Sequence, residues 1–136
     1  MTTLPNTNLE LEFLGTFVVR PKRARYAALV VSPRLRPQFL AALRSFSHFD
    51  PRFKVRLPPS QDSTKTYLAE LRDRGAGPSA YLISTADDLD GRSLPIAAAV
   101  DEVHGRCNGT IVICTSTLAY YEGALKYRFI LDSQQR

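Results

Sequence analysis

The 136-residue sequence is poor in the residues that carry recognisable chemistry, with two cysteines, two histidines and seven glycines. Two cysteines are too few to staple a secreted mini-domain. Cys107 and Cys114 lie on either side of a predicted strand entry, where a bridge would be awkward, so they read as reduced thiols of a cytoplasmic protein. His104-x-x-Cys107 with Cys114 matches no zinc spacing, and His48 stands alone. Neither G-x-S-x-G nor H-E-x-x-H occurs, and no strand end carries G-x-G-x-x-G or G-x-x-x-x-G-K-[ST]. These absences leave no catalytic residue, metal site or cofactor to assign. Apolar runs such as residues 96–100 fall far short of the ~18 residues of a membrane span. Residues 1–8 lack the charged-then-apolar order of a signal peptide.

With 44% hydrophobic and 23% charged residues, the composition is that of an ordinary globular domain. Residues 1–136 therefore read as one α/β domain with frayed ends at 1–8 and 133–136.

Positive charge is in excess. Net charge is +5, and residues 1–74 carry 13 Lys/Arg against 6 Asp/Glu, whereas residues 75–136 carry 5 against 7. Within 20–56 the ten cations are Arg20, Lys22, Arg23, Arg25, Arg34, Arg36, Arg44, Arg52, Lys54 and Arg56, against the single acid Asp50. Like charges in a compact domain repel, so this segment implies either an anionic partner or a well-solvated face.

Leu9-Glu10-Leu11-Glu12-Phe13 alternates and predicts a half-exposed strand, and the apolar run at 26–31 predicts a strand buried on both faces. Ser32-Pro33 opens a helix striped by Leu35, Phe39, Leu43 and Phe46. Phe53, Val55 and Leu57 alternate with Arg52, Lys54 and Arg56 in a further strand, which sets those three cations in a row on one face. Asp62 or Ser63 caps a second helix with Tyr67, Leu68 and Leu71. Residues 80–83 and 110–114 predict core strands, joined through a third helix that presents Ile96, Val100 and Val103. Residues 118–121 and 125–131 predict a closing hairpin. The expected fold is a single-layer mixed sheet of about five to seven strands, with three helices, parallel core connections and a C-terminal antiparallel hairpin.

Two candidate sites follow. The first is anion binding by Arg20, Lys22, Arg23, Arg25, Arg34, Arg36, Arg52, Lys54 and Arg56. The second is a crevice beyond the carboxyl ends of parallel strands, where Ser84, Thr85, Thr115 and Ser116 would hold phosphate beside Asp87 and Asp88. In the run Asp87-Asp88-Leu89-Asp90-Gly91 the acids suit helix capping better than metal ligation. The leading expectation is a non-enzymatic module that binds nucleic acid or an acidic protein surface through 20–56. An accessory or inhibitor protein and a small phosphoester or nucleotide enzyme are the alternatives, with an edge strand available for self-association and no membrane contact.

Overall fold

The computed structural model describes residues 6–134, so residues 1–5 and 135–136 of the expected frayed ends lie outside the described residues. Asn6 opens α1 (Thr7–Phe17), its side chain accepting the Leu9 N–H at 3.2 Å. Thr7 and Asn8 thus lie in the first turn of a helix. The segment expected to be a strand at 9–13 is helical, and its buried positions are Glu10, Phe13, Leu14 and Phe17, the i, i+3, i+4, i+7 stripe of a helix. The alternation misleads because Glu10 belongs on the buried side. Its carboxylate accepts two Arg36 N–H groups at 2.6 and 2.8 Å and the Tyr81 hydroxyl at 2.6 Å. Burying Phe13, Leu14 and Phe17 contributes roughly 1.5–3 kcal/mol each.

The second overturned strand lies in α2 (Arg20–Val31), where only Tyr26 and Val30 are buried and Val31 is 46% exposed. Alanine and arginine favour helix, and Pro21 sits in the first turn, where no N–H is needed. Helix α3 (Arg36–Ala42) tightens into a 3-10 turn at Leu43–Ser45. Ser63 caps α4 (Thr64–Asp73), and α5 (Ile96–Val103) completes five α-helices among the described residues, two more than expected.

Six strands form one sheet: β1 (Lys54–Val55), β2 (Ser79–Ser84), β3 (Ser93–Pro95), β4 (Thr110–Thr115), β5 (Leu118–Glu122) and β6 (Arg128–Asp132). Their order is β1-β6-β5-β4-β2-β3, and every pairing is antiparallel. The expected parallel connections are absent. The alternation of strands with helices suggested them, but here the helices cover both faces of an antiparallel sheet. Tyr81, Ile83, Ile111, Tyr121, Phe129 and Leu131 face α1–α3. Leu82, Val112, Leu118, Tyr120 and Ile130 face α4 and α5. The closing hairpin, β5 with β6, is as expected. No helix among the described residues is long and apolar enough to cross a membrane.

Candidate anion-binding site

Two of the ten cations are neutralised from within. Arg36, nearly buried, joins Glu10 to Asp90, whose oxygens accept at 2.9 and 3.0 Å. Burial opposes its charge, but the two carboxylates outweigh burial and hold the guanidinium protonated. Arg52 donates to Asp50 at 2.7 Å, and that hydrogen bond holds the Asp50 carboxyl below its ordinary value. A bridge between Val18 and Phe49 brings the start of α2 to the same place, where the Arg23 charge adds to the effect. Arg23 also donates to the Val18 carbonyl at 2.8 Å. Arg20, Arg25 and Arg34 are exposed, Lys22 is half-buried, and Arg25 lies over Tyr26.

The expected row of Arg52, Lys54 and Arg56 is replaced by a cluster. Residues 51–53 form a 3-10 turn, so β1 is only two residues long. Phe53 packs against the core under α1–α3 and Val55 against the opposite core. Lys54 donates to the Tyr127 hydroxyl at 3.2 Å and lies 5.0 Å from the Phe129 ring centre. The Arg56 guanidinium lies over Tyr127, 4.9 Å from its ring centre. Burial would raise the Tyr127 phenol, but the hydrogen bonds and charges of Lys54 and Arg56 outweigh it and leave the group below the ordinary tyrosine value.

Arg44 joins them from a different segment. The backbone of residues 43–44 lies so close to Gly109 that a Cβ there would stand 2.8 Å from the Arg44 nitrogen. The Tyr121 hydroxyl donates to the Leu43 carbonyl and accepts the Phe46 N–H at 3.2 Å. So anchored, Arg44 lines a groove of about 410 Å³ together with Phe46, Ser47, Leu125 and Tyr127. Leu125 stands at the hairpin tip, 95% exposed, with φ +58°. Among the described residues, neither Arg44, Lys54 nor Arg56 has a carboxylate partner.

Antiparallel pairing dismantles the crevice. Ser84 pairs with Thr110, so Thr115 lies at the far end of β4, roughly 17 Å away by strand rise. Ser84 is buried and bonded to Thr110 at 2.7 Å, and Thr85 donates to the Asn108 carbonyl. Asp88 pairs with Arg106 at 3.3 Å, Asp87 is exposed, and Thr115 bonds Thr117 beside exposed Ser116. Ser84, Thr85, Asp87 and Asp88 therefore do not meet Thr115 and Ser116.

No family model, curated protein or solved structure matches the chain. Its reading rests on geometry.

A second cluster, missed in the sequence, adjoins the first through Arg56. Arg128, at the start of β6, donates from Nη1 to both Asp62 oxygens at 2.7 and 2.6 Å. His104 Nε2 lies 3.0 Å from Asp62, and Cys107 Sγ lies 3.6 Å from Arg128 Nη2. Arg128 Nε is 3.1 Å from Glu122, an ion pair that lacks hydrogen-bond geometry. Glu122 is fully buried, held by the Gly105 and Cys107 N–H groups and by the Tyr120 hydroxyl. Burial opposes the Arg128 charge, yet Asp62 and Glu122 outweigh it and hold it protonated. Burial also tends to raise Asp62, but Arg128 and His104 prevail and keep it a carboxylate. Only His104-x-x-Cys107 hinted at this cluster; Asp62, Glu122 and Arg128 are single charges spread over 66 residues of sequence. Among the described residues no three His, Cys, Asp or Glu side chains converge as a metal site. Cys114 is pushed up to about 12 by burial, so it remains a thiol rather than a nucleophilic thiolate.

Proposed function

We propose that the protein is a non-enzymatic binding module for an anionic macromolecule, nucleic acid or an acidic protein surface, acting in the cytoplasm. The contact surface is Arg44, Lys54 and Arg56 around Tyr127. One observation carries the reading: Lys54 and Arg56 sit at the Tyr127 ring and Arg44 lines the groove beside it, with no carboxylate among the described residues to neutralise them. Uncompensated charge at one place costs stability through repulsion, and an anionic partner relieves it. Arginine and lysine beside an aromatic ring suit phosphate or carboxylate groups.

A second reading, an accessory protein that grips another protein, has its own support. Leu125 presents a large apolar side chain in the left-handed region, a conformation that costs about 1–2 kcal/mol for such a residue. An acidic partner with an apolar anchor would use both the groove and its cations.

The test compares wild type with the triple variant Arg44→Gln/Lys54→Gln/Arg56→Gln for binding to poly(dT) and to poly-glutamate. Arg20→Gln/Arg25→Gln/Arg34→Gln, at three exposed arginines, serves as a control of equal charge loss. The triple variant loses binding and the control keeps most of it. Equal losses in both would reduce the effect to net charge and end the proposal.

A further inference from the structure

The cavity beside Arg128 has a volume of about 590 Å³, within the size range of small-molecule sites. Leu57, Pro58 and Pro59 form an apolar wall, and Arg56, Asp62, Tyr67 and Arg128 supply its polar groups. Most of this polarity is already satisfied. Arg128 is matched by Asp62 and Glu122, and Asp62 by Arg128 and His104.

Two donors are left over. Arg56 has no carboxylate partner among the described residues, and lying over Tyr127 leaves in-plane N–H groups for other contacts. Tyr67 is only 2% exposed, packed against the Tyr120 and His104 rings, yet its hydroxyl has no hydrogen-bond partner among the described residues. That hydroxyl is not sealed off, since Arg128 Nε is the one buried side-chain polar atom without a hydrogen-bond partner among the described residues, so the hydroxyl reaches the cavity and can donate to a group held there.

From these leftovers we infer that the cavity binds a small organic monoanion, a carboxylate on a compact apolar body. The carboxylate meets Arg56 and the Tyr67 hydroxyl, and the body lies against Leu57, Pro58 and Pro59. A single negative charge fits best. Arg56 is the wall's one cation without a carboxylate partner among the described residues, so one negative charge is balanced and the second charge of a phosphate dianion is not. Arginine's fork matches a carboxylate in geometry as well as in charge. This inference does not depend on the anionic-macromolecule reading, although Arg56 serves both.

Calorimetric titration with phenylacetate tests it, with phenylacetamide as the uncharged isostere and inorganic phosphate as the dianion. Phenylacetate binds saturably and at least about tenfold tighter than either comparator, since a hydrogen bond to a charged group is worth that much. Tyr67→Phe and Arg56→Gln each weaken it by about tenfold on the same grounds. Arg56 is exposed, so its variant tests the site even should Tyr67→Phe fold poorly. Lys54→Gln weakens binding to the macromolecule but leaves phenylacetate affinity unchanged, which separates the two proposals. Absence of saturable phenylacetate binding, equal binding of phenylacetamide or of phosphate, or wild-type affinity in Arg56→Gln would overturn the inference.

Discussion

Glu10 and Arg36 join four parts of the chain from inside: α1, α3, the Tyr81 hydroxyl of β2 and Asp90 in the loop after it. Glu10 is fully buried and Arg36 nearly so, which makes the pair costly to break. Removing one partner leaves a poorly compensated buried charge, and such losses run to about 3–5 kcal/mol. Glu10→Gln is therefore expected to lower the urea midpoint sharply, whereas Glu12→Gln, on the exposed side of α1, should leave it almost unmoved. A second prediction at this scale concerns Tyr127. Burial lifts Tyr67, Tyr81, Tyr120 and Tyr121 above the ordinary phenol value, Tyr121 to about 12, while Lys54 and Arg56 pull Tyr127 below it. Its native value lies below its unfolded value, so its phenolate contributes stability above the unfolded value of ~10. That contribution is lost as pH falls through the native value. Absorbance of the phenolate should show Tyr127 ionising before those four, and Lys54→Gln should move its transition upward.

Among the elements, the contact between residues 43–44 and Gly109 sets the position of Arg44. Gly109 has φ +95°, and an added Cβ would meet the backbone of Leu43 and Arg44 within 3.0 Å. Gly109→Ala combines a disfavoured backbone with a clash against main chain, and should destabilise by more than about 1 kcal/mol. Thermal unfolding measures that loss, and Gly77→Ala, with open space around it and no positive φ, is the comparison expected to be mild. Elements whose apolar stripe matched their own period were legible in the sequence: α4, α5, β2, β4 and the β5–β6 hairpin. Those with a hidden polar partner were not. Glu10 looked like solvent-facing polarity because nothing in the sequence shows that Arg36 will reach it. Tyr26 and Val30 looked like part of a strand because alanines fill the positions between buried and exposed. The cationic segment was legible as charge, but its gathering at Tyr127 depends on β1 pairing with β6, a contact between residues 54–55 and 130–131. Asp62, His104, Glu122 and Arg128 meet only after the sheet has formed, so local spacing carried almost no trace of them.

For the whole molecule, the antiparallel sheet does two things. It separates the hydroxyl-bearing strand ends at Ser84 and Thr115, and it places the start of β6 beside β1, so that Arg56, Tyr127 and Arg128 share one edge. That edge holds both proposed sites. Salt response tests the larger claim most directly. Three cations that each neutralise a phosphate of single-stranded nucleic acid give a slope of log affinity against log salt of about −2, at roughly −0.7 per phosphate. Titration of the wild-type protein with poly(dT) across a range of salt is expected to show that slope, and the Arg44→Gln/Lys54→Gln/Arg56→Gln variant a nearly flat one. If instead poly(dT) and poly-glutamate both fail to bind, or the triple variant keeps the wild-type slope, the cluster around Tyr127 is not the contact surface.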